Sequence, residues 1–532
     1  MANVITRRSF MKASVQASIA TGLASMVNIP HFLQRALAEG SIGLSGKKLL
    51  FLFFRGGNDG LNNLIPINDP GYAFYRPTIG LPKDPAVDYG AITGQADVPG
   101  MIQPYAIRLG NGFAALNPNL YDLAPLFNTG HLALLHRVAY RSQSRSHFDS
   151  EKYWEKATDG VTANNRTIND GVFYRTIVES GWNRTHALAA VSIQSNMPQS
   201  LRGVEPMTNL SSINRYNLLG VSGATTTANN VTVAADRLKL LNAIDAANAR
   251  AYPSKENREM ILGLGQAFRD TFDIFQDPAY GFARNDFVDE DGKHLFPTNT
   301  GTDEKGLGAG AYGFFTNLKS AAQVLANTDA IIAGTEFGGF DTHTAQVTVG
   351  SPHLGGHASL LRRIGWAFSS LAKFFSNPAY SPKVRWEDVV VLTLSEFGRT
   401  SAENASVGTD HAEASVMYVA GGGIHGGVYG CDTDVNPAIS LPNWTPCTAI
   451  AGGTTPTVAK DGSMFAANNN VGYLRRTIDY RSVLGEIIRD HLGATQAQLE
   501  RIIAAYARES TEHLKNGGMV ATTPIVGELG LI

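Results

Sequence analysis

The chain predicts an α/β fold with a doubly wound, mostly parallel central sheet and helices on both faces. Three observations predict it. Runs such as Lys47–Phe54, His131–Val138 and Asp388–Leu394 are apolar without alternation, the pattern of strands buried on both faces. Segments with apolar residues at helical spacing lie between such runs, as at Gly310–Asn327 and His357–Phe375. The strand-like runs also give way to polar turns, most of them glycine-bearing, which suits loops at the carboxyl edge of a parallel sheet.

Taken in order, the first strand ends in Arg55-Gly56-Gly57-Asn58-Asp59-Gly60-Leu61-Asn62. Residues 66–120 are rich in Pro and Gly with little periodicity and read as a long surface excursion. Tyr121–Phe127 suits a short helix, and the strand at His131–Val138 leads into Arg145-Ser146-His147 and a helix with Tyr153 and Trp154 on its buried side. Ala187–Ile193 is a further strand. Residues 195–275 read as an insertion that begins as an Asn/Ser/Thr-rich loop and continues as helices over Ala234–Ala251 and Asn257–Phe275, capping the sheet. Asp329–His343 starts as a β-branched apolar run, breaks at Gly338-Gly339 and delivers Asp341 and His343. The strand at Asp388–Leu394 ends in Ser395-Glu396-Phe397-Gly398-Arg399-Thr400, and Asp410-His411 precedes another strand at Ser415–Ala420. Helices at Arg481–Leu492 and Gln496–Tyr506 close the domain.

The chain has 532 residues, 43% of them hydrophobic and 17% charged, with 55 glycines and a net charge of −2. That is ample for a large core, and it offers no electrostatic basis for binding nucleic acid or an anionic membrane surface. Thr6-Arg7-Arg8-Ser9-Phe10-Met11-Lys12 has the form of a twin-arginine export signal. A weakly apolar stretch follows, and Ala36-Leu37-Ala38 offers a cleavage site, so residues 1–38 read as a signal peptide handled by the twin-arginine machinery. The expected mature protein is periplasmic or secreted and has no membrane span. In that oxidising compartment Cys431 and Cys447 can pair or remain buried thiols.

In a parallel sheet the strands point one way, so the residues past their carboxyl ends converge on one edge. Asp59, Asp341, His343, Glu396, Asp410 and His411 are therefore candidate ligands for one or two divalent metals, zinc or manganese among them. Two metals about 4 Å apart would serve an in-line displacement on an ester. Ser146, His147, Arg145 and Arg399 are the catalytic candidates. Ser146 reads as a nucleophile at a helix N-terminus or as a plain N-cap. The two arginines read as clamps for a phosphate or sulfate, or as structural ion pairs.

Arg-Gly-Gly-Asn-Asp-Gly-Leu-Asn (55–62), Ser-His-Phe (146–148), Gly-Gly-Phe-Asp-Thr-His (338–343), Ser-Glu-Phe-Gly-Arg-Thr (395–400), Asp-His (410–411) and Gly-Gly-Gly-Ile-His-Gly-Gly (421–427) together resemble domain-of-unknown-function family 1501, exported proteins assigned to the alkaline phosphatase and sulfatase superfamily. The resemblance implies one alkaline phosphatase-like domain over 47–510, with 511–532 as a tail. It implies metal ligands at Asp59, Asp341 and His343, a nucleophile near Ser146, and His411 as a late histidine oriented by Asp410. Glu396-Phe397-Gly398 aligns with the superfamily's Asp-His-Gly, so Phe397 replaces a ligand histidine and the second metal is left open. The converted-cysteine sulfatase signature is missing. The expected function is metal-dependent hydrolysis of phosphate or sulfate esters. The alternative is a non-catalytic exported protein that binds a glycan or envelope partner on the same fold.

Overall fold

The computed structural model describes residues 46–159, 168–186, 188–205, 207–213, 275, 281–297, 305–431, 433–436, 441–444, 464–465, 473–474, 476–503, 506 and 529–532. The export signal, all but Phe275 of the two insertion helices, Cys447 and most of the tail lie outside the described residues.

A nine-stranded sheet forms the centre. Its strands are β1 (Lys48–Arg55), β2 (Leu132–Ala139), β3 (Ala190–Ile193), β4 (Thr208–Leu210), β5 (Ile332–Gly338), β6 (Val389–Ser395), β7 (Ser415–Ala420), β8 (Gly427–Tyr429) and β9 (Ile478–Asp479). They lie in the order β8-β2-β7-β6-β1-β5-β3-β4, with β9 also paired to β2. β1 runs parallel to both β5 and β6, in register Leu50↔Ala333 and Leu50↔Val391. The alternation along β1 sends Leu50, Leu52 and Phe54 into one core and Leu49, Phe51 and Phe53 into another on the opposite face. Burying each of these side chains contributes about 1.5–3 kcal/mol.

Helices cover both faces. α3 (Tyr312–Asn327) and α4 (Gly356–Ser376) bury Phe315, Leu318, Leu361 and Ile364 in the first core. α1 (His147–Lys156), α2 (Val172–Glu179), α5 (Tyr480–Glu486) and α6 (Gln496–Ile502) bury Trp154, Phe173, Leu484 and Leu499 in the second. Among the described residues no helix is long and apolar enough to cross a membrane.

One expectation is corrected here. Residues 66–120 are a surface excursion only in part: 82–105 are mostly exposed, but Tyr72, Ile79, Leu81, Ile107, Leu109 and Phe113 are buried, and the segment contributes strands to a small three-stranded sheet. Its aromatic and aliphatic side chains are spaced too irregularly to show a period, yet they pack against the first core. The sheet is mostly parallel, as expected, with one reversed strand. β7 runs antiparallel to β6 and to β2. The start of β7 therefore lies at the edge where β1, β2, β5 and β6 end. In the tail, the Leu531 N–H donates to Glu486 at 2.7 Å and its side chain is buried in the second core.

Candidate metal centre

The reversed strand explains how the site is assembled. β5 ends and its loop presents Asp341 and His343, while β6 ends at Glu396 and Arg399. β2 is followed by α1, whose first residue is His147. The residues entering β7 are Asp410 and His411, and because β7 is antiparallel they arrive at this same edge. Gly56 permits the close approach of β1: its φ is +118°, and a Cβ there would stand 2.4 Å from the Asp341 nitrogen.

His147, Asp341 and His411 each offer one ligand atom, and these atoms lie within 4.8 Å of one another. His411 Nε2 is 3.1 Å from Asp341 Oδ1, and His147 Nε2 is 3.5 Å from Asp341 Oδ2. His343 adds a third imidazole, with Nε2 3.0 Å from Asp341 Oδ1 and 2.9 Å from His411 Nε2. Zinc ligands at about 2.1 Å in a tetrahedron stand about 3.4 Å apart. The donor set and its spacing fit a divalent cation.

The outer nitrogens strengthen the fit. His147 Nδ1 lies 2.8 Å from Glu396 Oε1, His343 Nδ1 lies 2.9 Å from Asp410 Oδ1, and His411 Nδ1 lies 3.0 Å from the Arg145 carbonyl. These are all acceptors, so hydrogen-bond accounting places the proton of each neutral ring on Nδ1. Each Nε2 is then left as a lone pair facing the Asp341 carboxylate or another lone pair. Electron pairs so placed repel unless a proton or a metal ion lies among them.

The electrostatics agree. Burial opposes ionisation of Asp341, but the hydrogen-bonded Arg399 guanidinium and the surrounding imidazoles outweigh it and hold its pKa at about 2. The Glu396 hydrogen bond raises the His147 pKa. Burial lowers that of His411, partly offset by Asp341. Asp410 is kept below the usual carboxylate range by its hydrogen bond to His343.

Of the predicted residues, Asp341, His343 and His411 come together. The other assignments change. Asp59 is not a ligand: it is fully buried, its two oxygens take Arg76 at 2.6 and 2.8 Å, and Gln346 donates to one of them at 2.6 Å. Glu396 is fully buried and accepts from the Gly56 N–H at 2.6 Å as well as from His147, so its place is to orient the His147 ring from beneath. Asp410 orients His343, not His411.

Arg399 is no anion clamp. It is 1% exposed and donates to Asp341 and to the carbonyls of Gly56, Gly57, Phe340 and Thr409. Arg145 is exposed, with its guanidinium on the Tyr473 hydroxyl. Ser146 occupies the N-cap position of α1, but its exposed hydroxyl makes no capping bond.

Sequence reasoning placed His147 among the catalytic groups and not among the metal candidates; its position at the first turn of a helix after a strand was the available signal. Phe397, standing where a histidine was expected, is buried beneath the site with its ring centroid 4.8 Å from that of His147 and 4.6 Å from that of His411.

Residues 234–440 match the family model described as "Protein of unknown function (DUF1501)". That span holds Asp341, His343, Glu396, Arg399, Asp410 and His411, while His147 lies before it. No curated protein and no solved structure matches the chain.

Proposed function

We propose that the protein is an exported, alkaline phosphatase-like hydrolase of phosphate or sulfate esters that binds one divalent metal through His147, Asp341 and His411, with His343 beside them. The observation that carries this reading is the convergence of imidazole Nε2 atoms on the Asp341 carboxylate while every Nδ1 is held by an acceptor. A divalent ion bound there supplies Lewis acidity, polarising an ester oxygen and acidifying water.

The chain's own groups do the rest. Arg399 keeps Asp341 ionised, and Glu396 and the Arg145 carbonyl fix the ring orientations of His147 and His411. The exposed His343–Asp410 pair is placed to hold a proton for a departing alkoxide. The free Ser146 hydroxyl, next in sequence to His147, is the candidate protein nucleophile. With Arg399 used structurally, the exposed Arg145, whose guanidinium also meets the Tyr473 hydroxyl, is the proposed contact for an anionic group.

The test is metal content and calorimetric titration with Zn²⁺ and Mn²⁺ after chelation, followed by turnover of an aryl phosphate, a phosphodiester and an aryl sulfate. The expected result is about one ion per chain and metal-dependent turnover of at least one ester, both lost in Asp341→Ala and His411→Ala variants that remain folded. A parent protein that binds neither ion removes the reading. Metal bound without turnover of any ester leaves the non-catalytic binding protein.

A further inference from the structure

A second feature lies beside the metal centre. A cavity of about 320 Å³ opens between α1 and the ends of β1, β3 and β5. Its walls include Arg55, Glu151, Gln194, Asn196 and Glu336, with Phe148 at the margin. Phe148 follows His147 directly, and Arg55 precedes the Gly56 whose N–H holds Glu396. The cavity therefore shares its edge of the sheet with the metal ligands.

The wall cancels its own charge. Arg55 is surrounded by Glu151 at 3.3 Å, Glu155 at 3.0 Å and Glu336 at 3.1 Å, and its guanidinium also covers the Phe53 ring at 3.8 Å. Glu155 accepts a further bond from the Ser200 N–H at 2.7 Å. Arg202, exposed on the same wall, donates through Nε to the Met197 carbonyl at 2.9 Å, and with Lys152 the lining carries three cations against three carboxylates, so its net charge is zero and a charged ligand gains little here.

What the cavity does offer is different. The Phe148 side chain is 78% exposed, a flat apolar face on the first turn of α1. Gln194 is 3% exposed, and its carbonyl oxygen accepts no hydrogen bond among the described residues, although its amide nitrogen donates to the Asn196 carbonyl at 2.9 Å. A buried acceptor of this kind calls for a donor. An aromatic face set among amides and carboxylates suits a ligand with an apolar C–H face and many hydroxyls, each able to donate and accept.

We infer that this cavity binds an uncharged polyhydroxylated ring, a saccharide unit. Its place as the subsite for the alcohol part of the ester rests on the hydrolase reading above; the binding itself does not. The test uses glucose, galactose and N-acetylglucosamine with their short oligomers, titrated against the full protein by saturation-transfer NMR and calorimetry, with inorganic phosphate as the anionic comparison. At least one saccharide binds the parent protein. Phe148→Ala weakens it about tenfold, the scale of one lost aromatic face. Asn196→Ala, at an exposed position whose loss leaves the core intact, weakens it as well. His411→Ala leaves saccharide binding unchanged, which separates this cavity from the metal centre. No binding by any saccharide at millimolar concentration, or binding that both Phe148→Ala and Asn196→Ala leave intact, overturns the inference. Saccharide binding without turnover of the matching sugar phosphate or sulfate removes the subsite role and leaves the saccharide site standing.

Discussion

Asp59→Asn separates two roles that look identical in sequence. The carboxylate is fully buried against Arg76, which is 1% exposed. Arg76 reaches it through both terminal nitrogens, at 2.6 and 2.8 Å, and also donates to Asn62 Oδ1 and to the carbonyls of Thr400 and Ser401. Gln346 donates to the same oxygen as one of the arginine nitrogens. Converting either oxygen to an amide NH₂ sets donor against donor and leaves the guanidinium charge uncompensated inside the protein. Breaking a buried pair in this way costs about 3–5 kcal/mol. The assay is the urea midpoint, read at unchanged slope, together with the metal content of the fraction that stays folded. The midpoint falls and the bound metal stays. A variant as stable as the parent but stripped of metal would refute the reasoning and return Asp59 to the ligand set.

Acid should destabilise the protein well above the range in which carboxylates titrate. Burial pulls the pKa of His357 and His491 down to about 4 and that of His136 far below its ordinary value. The unfolded chain takes up these protons near pH 6.5, and native His357 and His491 take theirs only near pH 4, so stability is complete above 6.5 and declines on acidification, by roughly 3 kcal/mol for each of those two at pH 4. A urea midpoint that stays level from pH 7 to 4 contradicts this. Glu396→Gln and Asp410→Asn weaken the anchors of His147 and His343, and each is expected to lower metal affinity about 10–100-fold in calorimetric titration; unchanged affinity in both means the outer hydrogen bonds do not set the rings. Gly56→Ala is expected to destabilise by about 1–3 kcal/mol, because its φ is +118° and the added Cβ meets the Asp341 backbone. Gly313→Ala, in α3 with nothing within 4 Å of the new Cβ, is expected to stabilise by about 0.5–1 kcal/mol. Equal midpoints for these two variants would remove the close-approach argument.

The strands were legible because β1, β2 and β6 are buried on both faces, and such burial writes itself as an uninterrupted apolar run. Strand direction is not written that way. Ser415–Ala420 reads the same forwards or reversed, and only its pairing with β2 and β6 shows that it begins where its neighbours end. Asp59 and Asp341 illustrate the harder limit. Both follow a Gly-Gly pair after a strand, yet one faces Arg76 and the other faces imidazoles. The deciding partner comes from residues 66–120, whose irregular spacing concealed that part of the segment folds inward. The orienting roles of Glu396 and Asp410 were hidden for the same reason: a carboxylate that binds metal and one that holds a ligand's Nδ1 are the same residue type at the same sheet edge.

Gln346 shows why the Asp59 motif belongs with the centre although it binds nothing there. Its side chain is fully buried and joins three segments. The amide nitrogen donates to Asp59 at 2.6 Å, and the amide oxygen accepts from Thr342 at 2.9 Å and from Thr409 at 2.8 Å. Thr342 stands between Asp341 and His343, and Thr409 directly precedes Asp410 and His411. One amide thus spans the two loops that carry the ligands, and it is itself fixed by a carboxylate that Arg76 keeps ionised. The amide cannot be reversed, since its oxygen faces two hydroxyl donors and its nitrogen faces an acceptor. The sheet-edge residues therefore divide by depth. Asp341, His147, His343 and His411, the groups proposed to meet an ion, are exposed or partly exposed, and beneath them the buried Asp59, Arg76, Gln346, Glu396 and Arg399 fix their spacing through hydrogen bonds.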